Sequence, residues 1–180
     1  MRLNLYIGTI IVLFSTNVLS QTCVTNQPAS HQDGQFIDRN DGTLLDVSTN
    51  LLWSKCNVGE NYNIGTGKCD GTATEYAKWE DALIATQDSS LTTIAGQSNF
   101  RLPNIKELSS IVDYRCTMPA INLTYFPTTT NEPYWTNTPD AKQINVNYDG
   151  LVIDFGEALE VITAPSDLPS PLIRLVKEFN

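Results

Sequence analysis

Histidine occurs once in these 180 residues, at His31, and lysine and arginine together number 11 against 20 aspartates and glutamates. A serine–histidine hydrolase would have to use His31, which sits in a polar N-terminal stretch with nothing in the sequence to hold it rigid, so that chemistry is disfavoured. The shortage of basic side chains argues against a nucleic-acid partner, because a polyanion is bound by a basic face that releases its counterions, and the lysines and arginines here are scattered. Beyond residue 20 no apolar run approaches the ~20 residues that a bilayer core demands, so the exported chain is expected to insert in no membrane. There is no internal repeat, and no low-complexity tract beyond Thr128–Thr130. No cysteines are grouped as C-x-x-C pairs and His31 is near no such pair, which argues against a zinc site.

What is present begins at the N-terminus. Arg2 precedes an apolar run from Leu3 to Phe14 interrupted only by Asn4 and Thr9, followed by small and polar residues to Ser20. That succession is a signal peptide over residues 1–20, with Val18 and Ser20 as the small residues before a cut at Gln21. The exported chain then carries ten basic and twenty acidic side chains. Its length suits one domain with a single sizeable core, and its acidity favours solubility. We place a polar arm at 21–34 and the ordered domain at 35–180.

Cys23, Cys56, Cys69 and Cys116 all lie in the exported part, where an oxidising compartment lets disulfides persist. Of three pairings we prefer Cys56–Cys69, which closes the short Gly- and Asn-rich loop Asn57–Lys68, with Cys23–Cys116 tying down the arm.

Gln35–Asp38 and Thr43–Asp46 flank Arg39-Asn40-Asp41-Gly42, whose Asp-Gly supplies the positive φ of a tight hairpin. Leu51-Leu52-Trp53 reads as a third strand. Thr72-Ala73-Thr74-Glu75 has the spacing of a capping box ahead of Tyr76, Trp79 and Leu83, which predicts helix one. Asn104-Ile105-Lys106-Glu107 repeats the signal after Pro103, with Leu108 and Ile111–Val112 completing a stripe that ends near Asp113. Strands return at Tyr134–Thr138, Ile144–Tyr148 and Leu151–Phe155, with Asp149-Gly150 as a turn, and at Leu172–Lys177. Strands at both ends around two helices imply an α+β fold in which the terminal strands pair.

Asp41-Gly42-Thr43, Thr49-Asn50-Leu51-Leu52-Trp53, Cys56, Trp79-Glu80-Asp81-Ala82, Phe100-Arg101-Leu102-Pro103-Asn104-Ile105-Lys106-Glu107-Leu108, Tyr134-Trp135-Thr136-Asn137-Thr138 and Ile173-Arg174-Leu175-Val176-Lys177 follow in that order. Together they resemble the Lcl C-terminal domain family, a bacterial family long catalogued as a domain of unknown function. Phe100 stands where the family usually has Trp, and Asn50 where it has Gly; both keep the local physics, an aromatic to bury and a residue tolerant of left-handed backbone. The resemblance implies a single C-type-lectin-like domain, shared with formylglycine-generating enzymes, and a role outside the cytoplasm. The family's namesake belongs to a collagen-like surface adhesin that recognises sulfated polysaccharides; this chain is acidic and has no collagen repeat.

Several chemistries compete at particular residues. Four cysteines consumed in two bridges leave no thiols for formylglycine-type chemistry. Glu107 is the acid to inspect for glycoside hydrolysis, yet its position fits a helix cap paired with Arg101. Asp38-Arg39-Asn40-Asp41-Gly42 resembles half a calcium loop, but its spacing fails by one residue and the twelfth-position Glu is missing, so it reads as a hairpin turn. Tyr125, Tyr134, Trp135, Asn137 and Tyr148 could form a sugar-stacking surface. Trp53 and Trp79 read as core rings, Leu102 and Pro103 as part of the apolar block, and Arg101 and Arg174 as structural guanidiniums that must find carboxylate or carbonyl partners. The expectation is a non-catalytic secreted or periplasmic binding domain, without cofactor, for a glycan or protein partner at the cell envelope. The alternative is a structural subunit of an envelope or appendage assembly.

Overall fold

The computed structural model describes residues 20–140, 150–162 and 169–180. The leader, the expected strand Ile144–Tyr148 and the candidate residue Tyr148 lie outside the described residues.

The Asp-Gly hairpin forms where the turn chemistry places it. Strand β2 (Phe36–Asp38) pairs antiparallel with β3 (Thr43–Asp46), Phe36 opposite Asp46 and Asp38 opposite Leu44, and Asn40 (φ 57°) and Gly42 (φ 93°) supply the left-handed positions between them. Asn50, also left-handed at φ 57°, turns the chain into β4 (Leu51–Ser54), so an asparagine does here what glycine usually does. The last strand, β11 (Val176–Glu178), pairs with β4 and completes a four-stranded sheet in the order β11-β4-β3-β2. The two ends of the domain therefore share one sheet, but the terminal strands β2 and β11 lie at its opposite edges, with β3 and β4 between them, and do not pair with each other as expected.

A second sheet has the order β10-β9-β8, from β8 (Pro133–Pro139), β9 (Gly150–Asp154) and β10 (Leu159–Ile162). Gly150 opens β9 opposite Pro139, and Asp149 of the expected Asp149-Gly150 turn lies outside the described residues. A Cβ at Gly150 would sit 2.3 Å from Trp79 Nε1, so only glycine lets the Trp79 indole cross this strand. The two sheets are stitched by the segment before β11, where Trp135 N–H donates to Leu172 O and Leu172 N–H to Pro133 O, both at 2.9 Å.

Burial on both faces explains the unbroken apolar runs. In β4, Leu51 and Trp53 enter one core with Phe36, Leu108, Ile121, Phe126, Tyr134 and Phe155, whereas Leu52 enters another with Ala82, Phe100, Leu102, Trp135 and Ile173. Successive strand side chains point to opposite faces, so a run without polar alternation marks a strand covered twice. Phe100, 2 % exposed, is one of the rings of the second core.

Helix one starts later than the sequence signal. Amides of the first turn that would follow Thr72 are instead held in extended structure, Thr74 N–H by Val58 O and Tyr76 N–H by Pro171 O. Only α1 (Trp79–Ala85) is helical, and its N-cap, Lys78, makes no side-chain cap bond. In α2 (Ile105–Ser109) the signal is realised in full: Asn104 Oδ1 accepts from Glu107 N–H and Glu107 Oε2 from Asn104 N–H. The helix proper stops at Ser109 and tightens into i→i−3 turns through Val112, so it ends before Asp113.

Both preferred disulfides are formed. Cys23–Cys116 joins β1 (Thr22–Cys23) to β7 (Cys116–Thr117), and Cys56–Cys69 closes the loop that starts at Asn57. That loop is itself a hairpin of β5 (Glu60–Asn63) and β6 (Lys68–Gly71), which its polar sequence conceals. Mostly antiparallel strands, two short helices among the described residues and two disulfides make this a small α+β fold.

Candidate functional site

The aromatic surface expected from the sequence is not assembled. Tyr134 is fully buried against Phe155, 5.1 Å between ring centroids, and Trp135 is 2 % exposed with its Nε1 donating to Tyr76 O at 2.8 Å. Consecutive positions in β8 send these rings into the two cores, so neither can stack on a sugar. Tyr125 is half-buried and packs on Phe36 at 5.2 Å. Asn137 is exposed, but no candidate ring of that group is open beside it among the described residues.

The motif residues serve the frame. Trp53 is fully buried, and half-buried Trp79 donates from Nε1 to Thr136 O at 2.7 Å. Leu102 and Pro103 are buried beside Arg101, whose Nη1 and Nη2 meet the two carboxylate oxygens of Glu107, each at 2.9 Å, while Nη2 also meets Glu178 at 2.5 Å. Hydrogen bonding to Glu107 raises the Arg101 pKa above the ordinary guanidinium range, and Glu178 adds to it. Glu107 is thereby committed to the helix cap and the ion pair together. His31, in contrast to the expectation of a loose arm, is held: Nε2 lies 2.9 Å from Ser110 O and the ring meets Phe36 edge-on at 5.0 Å. The Ser110 hydroxyl donates instead to Glu107 O at 2.7 Å, so the contact holds no nucleophile–base pair.

A concave feature of the described surface lies elsewhere, an open cleft of about 460 Å³. Its walls come from three separate stretches: the β2–β3 turn with Asp41 and Gly42, the disulfide-closed hairpin with Glu60, Asn61, Tyr62 and Ile64, and the loop after α1 with Ser90, Leu91, Thr93, Ile94 and Ala95. Ser54, Asn57, Val58 and Leu175 also line it, and each is buried.

Each wall is fixed by its own chemistry. Asp41 Oδ1 accepts from Thr43 N–H at 2.9 Å and from the Thr43 hydroxyl at 2.5 Å, which locks the first turn. Gly42 allows the hairpin to close on it, since a Cβ there would sit 2.8 Å from Tyr62 Cβ. Lys55 caps the Tyr62 ring at 5.3 Å while paired with Asp38 at 2.6 Å. Glu60 Oε2 accepts from Asn57 N–H at 2.8 Å and Thr128 Oγ1 at 2.7 Å. In the third wall Ile94 and Gln97 exchange both backbone hydrogen bonds at 2.9 Å around Ala95 (φ 52°) and Gly96 (φ 73°), a two-residue turn with an alanine in the left-handed region.

Beneath the cleft lies Arg174, fully buried. Nη1 donates to Ser54 O at 2.9 Å and Lys55 O at 2.6 Å, and Nη2 to Asn57 Oδ1 at 2.8 Å and Thr129 Oγ1 at 3.0 Å. Its guanidinium lies 5.0 Å from the Phe126 ring and 5.8 Å from that of Tyr134. Burial lowers its pKa. Cys56, Glu60 and Cys69 also place potential ligand atoms together, but both sulfurs are spent in the disulfide.

The sequence missed this cleft because its walls come from separate stretches near residues 41–42, 60–64 and 90–95, and two of them are loops. The available signal was apolar residues in polar loops, Ile64 between Asn63 and Gly65, and Leu91 and Ile94 after α1.

Fold and site together define a disulfide-stapled α+β domain with an open cleft built by three loops. The chain belongs to the Lcl C-terminal domain family, whose model matches residues 42–176. No curated protein and no solved structure matches the chain. Two disulfides fit an extracellular or periplasmic setting, and among the described residues no helix is long and apolar enough to cross a membrane.

Proposed function

We propose that this protein is exported by its leader, resides in the periplasm or on the cell surface, and acts without catalysis as a binding domain for an envelope partner, glycan or protein. The C-type-lectin-like architecture that the family resemblance implies belongs to the same proposal. The observation that carries it is the cleft: three loops from distant parts of the chain, each held by internal hydrogen bonds or a disulfide, converge on one concavity whose mouth carries exposed Ile64, Asn61 and Thr93. Pre-ordered loops around a mixed polar and apolar hollow suit recognition, because little ordering entropy remains to oppose binding.

The test is a binding isotherm of the exported protein on isolated envelope fractions, beside an Ile64→Asp/Leu91→Asp variant whose folding is checked by circular dichroism. Both positions are exposed enough to accept the change. Saturable binding that the variant loses supports the reading. Absence of saturable binding, or equal binding by the folded variant, contradicts it.

A further inference from the structure

The chemistry of the cleft says what kind of partner fits it. Ile64, at the tip of the β5–β6 hairpin, is 76 % exposed, and Leu91 on the opposite wall is 36 % exposed. The hairpin tip needs no apolar residue: Asn63 Oδ1 accepts from Gly65 N–H at 3.0 Å and Asn63 O from Gly67 N–H at 2.8 Å, contacts that any side chain at 64 would permit. Ile94 and Ala95 extend the same aliphatic wall, and Ala95 is held there in a left-handed conformation that glycine or asparagine would adopt more easily. Aliphatic side chains displayed on strained or tight turns around a hollow mark a surface for contact.

Two ligand classes are set against each other by the remaining groups. Stacking on a saccharide needs an open aromatic face, and the one ring lining the cleft among the described residues, Tyr62, is packed against Gly42 and capped by Lys55. A sulfated or otherwise anionic chain needs cations, but among the described residues the charged ones lining the cleft are Asp41 and Glu60, with no lysine or arginine, in a protein of formal net charge −9. A polypeptide segment needs neither: an aliphatic side chain can enter between Ile64 and Leu91, its backbone can bond to Asn61 and Thr93, and flanking lysine or arginine complements Glu60 and the net negative charge of the chain, Asp41 being already paired with Arg39 at 3.4 Å.

Resting on the binding reading above, we propose that the cleft takes an extended segment of a partner protein that inserts an aliphatic side chain flanked by basic residues. The experiment is selection from a displayed random heptapeptide library on the oxidised, exported protein, with the recovered peptides synthesised and their affinities measured by calorimetry. A panel of neutral and sulfated oligosaccharides is assayed in parallel. Expected are peptides enriched in Leu, Ile or Val beside Lys or Arg and depleted in Asp and Glu, binding at least tenfold more weakly to Ile64→Ser/Leu91→Ser. The Tyr114→Ser variant, which removes an exposed ring that does not line the cleft, should retain binding. Oligosaccharide binding that the double variant abolishes would overturn the peptide inference and leave the binding domain standing. Peptides that bind the double variant equally, or lack an aliphatic anchor, would overturn the peptide inference alone. No binding to library or panel, together with no binding to envelopes, would overturn both.

Discussion

Arg174 Nη2 donates to Asn57 Oδ1 across 2.8 Å, joining residues 117 positions apart beneath the floor of the cleft. Asn57 is held at its other end as well, by Nδ2 on Thr128 O at 3.0 Å. A buried guanidinium with no carboxylate at salt-bridge distance among the described residues is thus solvated by two backbone carbonyls, an amide oxygen, a hydroxyl and two ring faces. The arrangement ties the last strand segment to the cleft lining, so frame and site share one anchor.

Removing that anchor should unfold the region rather than merely alter binding. Arg174→Met leaves Ser54 O, Lys55 O and Asn57 Oδ1 without this donor and should cost about 3–5 kcal/mol. Arg174→Lys keeps the charge but replaces the planar fork with one ammonium, and should cost about 2–3 kcal/mol. Urea midpoints read both; a midpoint unchanged for either variant would contradict the anchoring role.

The two disulfides should be separable. In the chain-entropy view a bridge of sequence separation 13 contributes about 3 kcal/mol and one of separation 93 about 4.7 kcal/mol, as upper values. Paired serine substitution at Cys56 and Cys69 should also speed hydrogen exchange in β5 and β6, because among the described residues this hairpin pairs with no further strand and a lone two-stranded ribbon is marginal in water. The pair at Cys23 and Cys116 should cost more stability and leave hairpin exchange unchanged.

Two acids should respond to pH with opposite sign. Burial pushes Asp113 up, but hydrogen bonds and charge from Arg115 outweigh it and hold its pKa below the usual carboxylate range. Its contribution is therefore present above the unfolded-state pKa and lost as pH falls through the folded one, so Asp113→Asn should destabilise at pH 7 and converge with the wild type in acid. Glu132 is raised, first by burial and then by the charges of Glu75 and Asp154, and its buried Oε2 has no hydrogen-bond partner among the described residues. A raised carboxylate costs stability once pH exceeds its unfolded-state value, so Glu132→Gln should stabilise at pH 7 and be neutral near pH 4. Thermal midpoints across pH 3–8 check both directions.

The crossing of Trp79 over β9 tolerates no added methyl. Gly150→Ala must displace the indole from its 2.7 Å bond to Thr136 O, at a cost of about 1–3 kcal/mol, with a shifted tryptophan emission maximum. An unshifted spectrum with unchanged stability would show that the indole does not occupy this place.

Local chemistry was legible and long-range pairing was not. The Asp41-Gly42 turn, the Asn104–Glu107 cap, the Arg101–Glu107 pair and both disulfides could be read because each rests on neighbouring residues or on a few cysteines. The capping signal at Thr72–Glu75 failed because Val58 and Pro171, distant in sequence, hold the Thr74 and Tyr76 amides in extended structure. Tyr134 and Trp135 were misplaced on the surface because a strand buried on both faces has no polar alternation to show which rings turn inward. The cleft escaped notice for a related reason: its walls meet only after the sheets have formed.

Whether the cleft is the recognition site is tested most directly by backbone amide chemical-shift mapping of the oxidised, isotopically labelled protein, titrated with the tightest peptide selected from the library. The account predicts saturable shifts concentrated at Asn61, Ile64, Leu91, Thr93 and Ile94, with Tyr114 and Leu159 unmoved. Shifts clustered away from these loops, or none at saturating peptide, would contradict it.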